Sequence, residues 1–422
     1  MQTDNKRSYA SSLFLVGCLF FIFGFVTWLN GTLIPFLKTA CELNNFQAYF
    51  VTFAFYISYF VMAIPSSAIL RKTGFKKGMS LGLVVMAIGC IIFIPAANQR
   101  NFVYFLIGLF TQGLGLSILQ TATNPYVTIL GPEESAARRI SIMGIANKVA
   151  GIISPMILAS VLLKNIDSVG DQLSKAADAA ARNSLLNELS QRIINPYITL
   201  TVVLIVLAGL ILISPLPEVK EEEENPDFVP EQNDSIFKHT YLFLGALGIF
   251  LYVGVEVMAG DTIINYGKSL GFAMDNAKFF TSLTLTCMVA GYILGIALMP
   301  KVISQENALK VCAVIGIILS IGVLVTTGFA SIVCLASLGL AHSLMWPAIW
   351  PMSLKGLGKF TKTGAALLIM GIAGGAILPL LYGRLADVTH PQTAYIIMVP
   401  VYLYILFFAT KGHRVGYKDV KK

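Results

Sequence analysis

Apolar runs of about 20 residues, separated by short polar loops, dominate the pattern of hydrophobic and polar positions along the chain. A run of this length crosses the hydrocarbon core of a bilayer as one α-helix. Such segments are predicted at about residues 12–37, 46–70, 78–97, 101–130, 139–163, 194–214, 240–267, 276–299, 308–328, 332–354, 362–383 and 393–411. The pattern therefore predicts an all-α polytopic membrane protein with 12 transmembrane helices.

The amino-acid composition agrees with this prediction and indicates which partners the protein has. Of the 422 residues, 56% are hydrophobic and only 12% are charged, whereas soluble domains carry about 25% charged residues. The net charge of +8 is a property of the loops, where basic residues set topology and meet anionic lipid, so we expect a lipid bilayer as partner and no nucleic acid. The six cysteines show no spacing typical of a metal site or a disulfide framework.

Basic residues also predict the orientation of the chain. An even number of spans places both termini on one side of the membrane, and two thirds of the 30 Lys and Arg residues fall on that side. Because basic loops stay in the cytoplasm, we expect both termini to be cytoplasmic. The N-terminus has no small-residue cleavage pattern, so the first segment is predicted to be a retained helix and not a signal peptide.

Two long connections organise the chain. Residues 215–239 are polar and include a run of four glutamates, which predicts a flexible cytoplasmic linker. The linker would separate an N-terminal six-helix bundle, residues 1–214, from a C-terminal one, residues 240–422. Within the first bundle, the outer segment 164–193 is predicted to form one short amphipathic surface helix.

The two halves resemble each other. Ile142-Met-Gly-Ile-Ala146 recurs as Ile369-Met-Gly-Ile-Ala373, 227 residues later, and Gly31 aligns with Asp261 at an offset of 230. Both matches pair a segment with the one six further along. This pattern is typical of a parallel six-plus-six repeat, in which substrate binds between the halves and one half rocks against the other.

Three charged side chains inside apolar segments are candidates for ion coupling. Lys148, Glu256 and Asp261 lie where inserting an ion costs roughly 2.5–3.5 kcal/mol, so they are expected to be paired or functional. Lys148 is expected to pair with either acid, as a coupling counter-ion or as a fixed structural ion. The two acids are five residues apart, about 140° around a helix, and should face different surroundings.

Amide side chains in the same segments suit a neutral polyol. Gln120 and Asn124 are four residues apart on one helix face, and amides both donate and accept the hydrogen bonds that sugar hydroxyls need. Hydrogen bonding between helices is their alternative role. Further candidates for substrate contact, by their positions in the pseudo-equivalent first and seventh segments, are Trp28, Asn30, Asn265 and Tyr266.

Aromatic side chains mark the tenth segment. His342, Trp346 and Trp350 form an i, i+4, i+8 stripe, and Pro347 and Pro351 should break or kink the helix that carries it. Trp346 is expected to stack on a sugar ring. The histidine is expected to be a hydrogen-bonded bundle residue, with a proton relay as the alternative.

Six stretches resemble the fucose/glucose-galactose permease family of the major facilitator superfamily. They are Phe23–Leu37, Asn45–Ala48, Tyr59–Pro65, Gln120–Pro132, Tyr252–Glu256 and Trp346–Trp350. The resemblance runs through nearly the whole chain, and the run Asn124-Pro-Tyr-Val-Thr-Ile-Leu-Gly-Pro132 is its most specific part. It implies the major facilitator fold, a bacterial inner-membrane sugar permease closest to the glucose/galactose branch, and a sugar-contacting role for Asn147.

Two positions depart from the fucose permease pattern. Where members of that branch carry carboxylates for proton coupling and sugar binding, this chain has Gly31 and Gln120, and neither side chain titrates. Since Asp261 is the pseudo-symmetric counterpart of Gly31, we hypothesise that a carboxylate has moved across the two-fold axis. A proton on Asp261 or Glu256, a sodium ion at Asp261, and no coupling ion remain open.

These features predict a monomeric transporter, not an enzyme, that imports a neutral hexose by alternating access with ion coupling, glucose or galactose first. Uncoupled uniport, and fucose, N-acetylglucosamine or another small metabolite as substrate, are the alternatives. Drug efflux would need a larger apolar pocket. An enzyme would show an acid/base or metal cluster at a membrane face, and a sugar sensor would need an added cytoplasmic domain. No cofactor other than the coupling ion, a proton or sodium, is expected.

Overall fold

This computed structural model describes residues 2–129, 136–214, 216, 235–299, 302–357 and 360–416. The described part of the chain consists of helices joined by turns and short loops. The α-helices before the predicted linker are α1 Gln2–Trp28, α2 Asn30–Ala40, α3 Asn45–Ala48, α4 Phe50–Asn98, α5 Phe102–Ile129, α6 Ala136–Leu162, α7 Ile166–Ser174, α8 Ala179–Gln191 and α9 Ile194–Ile213. Those after it are α10 Thr240–Asp261, α11 Ile263–Ser269, α12 Met274–Ala277, α13 Phe280–Leu298, α14 Gln305–Val325, α15 Gly328–His342, α16 Met345–Leu354, α17 Thr361–Met370, α18 Gly374–Val388, α19 Pro391–Ala394 and α20 Met398–Thr410. Among the described residues, 11 helical stretches are long and apolar enough to cross a membrane, which makes this a multi-pass membrane protein.

The difference between 11 stretches and 12 predicted spans has one cause. The second and third predicted segments run together as α4, whose 49 residues would be about 74 Å long if straight, against about 30 Å of hydrocarbon. At Gly74 the backbone has φ 75° and ψ 173°, a conformation that no helix continues through and that glycine adopts readily. This break, inside the basic Arg71–Lys77 stretch, divides α4 into the two predicted spans.

The first and seventh predicted segments each divide into two helices at a single residue. Leu29, between α1 and α2, has φ −62° and ψ −29°, and Thr262, between α10 and α11, has φ −91° and ψ −18°, so both keep right-handed helical backbone. The two junctions occupy pseudo-equivalent positions, and Gly31 and Asp261 lie next to them in the sequence.

The tenth segment breaks where its prolines predicted. A proline ring clashes with the carbonyl group four residues earlier, and the residue four before Pro347 is Ser343, where α15 has ended and α16 has not begun. Pro351 lies inside α16. His342 therefore belongs to α15 and the two tryptophans belong to α16, on either side of the predicted break.

The outer segment also differs from its prediction, since it forms two helices, α7 and α8, instead of one. The Asp178 side chain accepts a hydrogen bond from Ala181 N at 2.7 Å, which caps a new helix and separates it from α7. Leu186 and Leu189 of α8 are buried, as the pattern indicated. The predicted linker lies largely outside the described residues, as does the turn at residues 130–135, so the division into two bundles stays a prediction.

The two halves are packed together on the side opposite the chain termini, here called the outer side. There α3 packs against α18, and α2 packs against α10 and α11. A Cβ atom at Gly383 would lie 2.4 Å from Tyr49 Cδ2, and one at Gly260 would lie 2.3 Å from Trp28 Cζ3. Helices in such close contact close the outer side in this conformation.

Candidate substrate and ion site

A buried ion pair between two membrane-spanning helices joins the two halves. Lys148 Nζ, on α6, donates a hydrogen bond to Glu256 Oε1, on α10, at 2.8 Å. The two side chains are only 12% and 10% exposed. The sequence left two partners for Lys148 open, and the structure pairs it with Glu256. Because each ion compensates the desolvation of the other, neither can be removed without leaving an unpaired buried charge.

Trp28 lies beside this ion pair. Lys148 Nζ is 4.9 Å from the centroid of its ring, within the range of a cation–π interaction. A Cβ atom at Gly151 of α6 would lie 2.4 Å from Trp28 Cδ1, so the indole fits into a space that only glycine leaves open on each side. Trp28 Nε1 is buried without a hydrogen-bond partner among the described residues.

Asp261 is a separate buried acid. It is 0% exposed, and neither carboxyl oxygen has a hydrogen-bond partner within the described part of the chain. A Cβ atom at Gly31 would lie 3.3 Å from Asp261 Oδ1. A carboxylate carried by position 31 would therefore enter the same small space as the one carried by position 261. Burying an ionised carboxylate without a partner is costly, so this packing suits the neutral, protonated acid.

Other polar atoms on α2 and α11 are buried without hydrogen-bond partners in the described structure. They are Asn30 Nδ2 and Thr32 Oγ1 on α2, and Asn265 Nδ2 on α11. No group of three or more His, Cys, Asp or Glu side chains that could hold a metal ion occurs in the ranges described. A sodium ion at Asp261 would have to draw its other oxygen ligands from groups such as Thr32 and the asparagine amides.

The amides predicted to read sugar hydroxyls already make contacts between helices. Gln120 Nε2 donates to Tyr59 OH at 3.1 Å, and Asn147 Nδ2 donates to Phe20 O at 3.3 Å. Both side chains are half-buried, whereas Asn124, one turn after Gln120 on α5, is exposed. The contacts hold Gln120 and Asn147 in defined orientations, which a binding site needs as much as a helix interface does.

The aromatic candidates on the tenth segment also have partners. Trp346 stacks on Trp350, with ring centroids 5.1 Å apart and an interplanar angle of 20°. One face of Trp346 is therefore used within α16. His342 is fully buried, and its Nε2 lies 2.6 Å from Tyr402 OH, whereas its Nδ1 has no hydrogen-bond partner among the described residues.

Asn265 and Tyr266, neighbours on α11, face different surroundings. The hydroxyl groups of Tyr266 and Ser331 are 2.6 Å apart, so Tyr266 is held within the second half, away from the ion pair. Asn265 lines a cavity of about 150 Å³ on the outer side, together with Tyr49 and Tyr382. Of the two, only Asn265 lies next to a space that a solute or water could occupy.

Sequence reasoning missed the tyrosines along the second segment. Tyr59 holds Gln120, while Tyr49 and Tyr56 are close enough to Asp261 to interact with it electrostatically. Positions 49, 56 and 59 share one helix face, and this periodicity was the available signal. These phenols link the two sites proposed from the sequence, the amides of α5 and the acid of α10.

The helical fold and the buried ion pair between its two halves are typical of a transporter of the major facilitator type. The Major Facilitator Superfamily model matches residues 16–372, and the chain belongs to that superfamily. It is 34% identical over 416 residues to a glucose/galactose transporter of Brucella abortus biovar 1 (strain 9-941), covering 98% of this chain and 97% of the relative. It is 29% identical over 419 residues to an L-fucose-proton symporter of Escherichia coli (strain K12), covering 96% and 94%.

A solved structure agrees with these relatives. The crystal structure of the superfamily transporter FucP in the outward conformation matches with a TM-score of 0.73 and 26% sequence identity, covering 97% of this chain and 100% of that one. The predicted fold and the resemblance to fucose/glucose-galactose permeases are thereby confirmed.

The ion pair gives a testable consequence. Lys148→Gln leaves Glu256 as an unpaired buried acid, and we expect a loss of about 3–5 kcal/mol of stability, seen as a lower thermal midpoint in detergent. The double variant Lys148→Gln/Glu256→Gln should recover most of that loss, because no charge is left uncompensated. As a control, Lys278→Gln removes a pair with the exposed Asp275 and should change the midpoint little. A double variant as unstable as Lys148→Gln would contradict mutual compensation.

Proposed function

We propose that this protein imports a neutral hexose, glucose or galactose first, across the bacterial inner membrane by alternating access, with a proton carried on Asp261. The observation that carries the proposal is the buried Asp261 carboxyl, which packs against Gly31 and has no hydrogen-bond partner among the residues that the structure describes. We retain cytoplasmic termini and a monomeric state as parts of the proposal, the first from the distribution of basic residues.

A neutral substrate fits the charges at the centre. Lys148 and Glu256 neutralise each other, so they leave no net charge there to bind an anion or a cation. Half-buried Gln120 and Asn147 offer hydrogen bonds to a sugar's hydroxyl groups, and the half-buried Trp346 indole offers a flat apolar face to its C–H surfaces. Trp28 is only 3% exposed and packs between Gly151 and Gly260, so its part is to hold the ion pair in this conformation. The names of the relatives, a glucose/galactose transporter and an L-fucose-proton symporter, support the same class of substrate.

The two acids of α10 suit different tasks. Glu256 has the Lys148 ammonium group within hydrogen-bond distance, whereas Asp261 has no such partner in the described ranges and is accommodated as the neutral acid while the outer side is closed. Opening the outer side would bring water to Asp261 and allow it to lose or gain a proton. Closing then favours the protonated carrier, which couples proton entry to the conformational change. The buried oxygen of Thr32 and the neighbouring amides keep sodium as the second candidate ion.

Uptake into liposomes tests the function. Purified protein is reconstituted, and labelled glucose, galactose, fucose and N-acetylglucosamine are offered under an inward proton gradient or an inward sodium gradient. We expect glucose or galactose to accumulate under the proton gradient. Accumulation under sodium alone would make sodium the coupling ion, and equilibration without accumulation would indicate uniport. If no sugar accumulates or exchanges, the proposal is wrong.

A set of Asp261 variants tests the coupling site. Asp261→Asn cannot release a proton, so we expect gradient-driven accumulation to be lost while exchange of labelled for unlabelled sugar remains. Gly31→Asp/Asp261→Gly returns a carboxylate to the same space from α2 and should restore part of the accumulation. Asp171→Asn, which changes an exposed carboxylate of α7, serves as the control and should match the wild type. Wild-type accumulation by Asp261→Asn would refute the assignment.

A further inference from the structure

An aspartate of the second half caps a helix of the first on the outer side. Asp387, near the end of α18, accepts hydrogen bonds from Asn45 N at 3.2 Å, Asn45 Nδ2 at 2.7 Å and Phe46 N at 2.8 Å. Two of these donors, Asn45 N and Phe46 N, are backbone groups in the first turn of α3, which begins the second membrane segment and would otherwise leave them unpaired. A negative charge at the start of a helix is favourable, so Asp387 stabilises this turn from across the interface.

An aspartate of the first half makes the reciprocal contact. Asp167, on α7, accepts a hydrogen bond from Met274 N at 2.8 Å. Met274 is the first residue of α12, which begins the eighth membrane segment. Asp167 also forms an ion pair with Lys268, at the end of α11. The side chains of Asp167 and Lys268 are 38% and 50% exposed, so water screens this pair.

The internal repeat relates the two contacts. Met274 aligns with Asn45 at an offset of 229, and Lys268 aligns with Lys38 at 230, the offset that also relates Asp261 to Gly31. Lys38 Nζ donates to Asn45 Oδ1 at 2.7 Å, beside the Asp387 cap. Each half therefore presents the same surface, a helix start next to a lysine, and receives a carboxylate from the other half. The carboxylates come from the end of the eleventh segment and from the helix that follows the fifth.

We propose that these two caps, Asp387 on the start of α3 and Asp167 on the start of α12, form a two-fold-related outer clamp that holds the outer side closed and must release before a solute enters from outside. Neither Asp167 nor Asp387 forms a hydrogen bond with Lys148, Glu256 or Asp261 within the described part of the chain. The clamp therefore acts only on the equilibrium between closed and open conformations. Because both aspartates are at least partly exposed, each contact is weak enough to break in every cycle, while two together bias the closed state.

The packing between the caps supports this role. The outer cavity of about 150 Å³ is lined by Lys38, Asn45 and Lys268 and also by Ala386, the residue before Asp387. Ala386 is buried, and the nearby Gly383 is in close contact with Tyr49 and Asn45 across the interface. If α18 moves away from α3, the Asp387 cap opens, this cavity widens, and the buried Ala386 becomes exposed to the outer solution.

Accessibility of a thiol at Ala386 tests the clamp. Ala386→Cys is placed in a Cys41→Ser background, since Cys41 is the native thiol of the adjacent outer loop. The rate of reaction with a membrane-impermeant maleimide then reports opening of the outer cavity. We expect Asp167→Ala/Asp387→Ala to raise this rate about tenfold. Two weak contacts together can supply the free energy that corresponds to a tenfold change in the equilibrium between the closed and open conformations. Asp167→Asn/Asp387→Asn keeps acceptor oxygens and should give an intermediate rate.

The control is Asp275→Ala, which removes an outer carboxylate paired with Lys278 inside its own half and should leave the rate unchanged. A wild-type rate in the double alanine variant would overturn the proposal. If that variant does not fold, the single Asp167→Asn and Asp387→Asn variants decide. Each of them must raise the rate of maleimide reaction, and an unchanged rate in either one contradicts the proposal. The measurement needs neither sugar nor ion gradient, so its failure is distinct from a failure of the proposed function.

Discussion

The cost of placing charge in hydrocarbon governs the centre of this transporter. Lys148 and Glu256 meet it by pairing across the two halves, with the Trp28 ring against the ammonium group. Asp261 has no such partner among the described residues, and as a neutral, protonated acid it would carry no charge to compensate. One helix therefore carries one acid with a buried cation beside it and one acid without, and the proposed proton coupling rests on this difference.

The surrounding backbone is arranged to make both solutions possible. The junctions at Leu29 and Thr262, which keep helical backbone angles, lie next to Gly31 and Asp261 in the pseudo-equivalent first and seventh segments. Glycines at 151 and 260 allow the Trp28 indole to approach more closely than a Cβ atom would permit, and Gly31 leaves only a tight space beside Asp261. The hypothesis that a carboxylate has moved between the halves fits this packing, since side chains at positions 31 and 261 would compete for the same space. The inferred outer clamp uses the same repeat one helix further on, which links closure of the outer side to burial of Asp261.

The fold was predictable because apolar runs of membrane-spanning length leave few alternatives, and Pro347 set the break in the tenth segment through a local steric rule. The turn at Gly74 and the division of the outer segment by Asp178 depend on single residues whose local bonds outweigh the general periodicity. At the site, the sequence indicated the three charged residues but not which acid pairs with Lys148. That choice between Glu256 and Asp261 depends on how the helix is rotated about its axis. Tyr266 shares its neighbourhood in the sequence with Asn265 but bonds to Ser331 in the second half. The Asp387 cap joins residues more than 300 positions apart, and no local pattern announces it.

The protonation state of Asp261 is the central claim, and infrared spectroscopy measures it directly. The difference spectrum between wild-type protein and Asp261→Asn, both in lipid near neutral pH without sugar, isolates the vibrations of this one side chain. The account predicts that the wild-type component is the carbonyl stretch of a protonated carboxylic acid. The symmetric and antisymmetric stretches of an ionised carboxylate in its place would contradict the account.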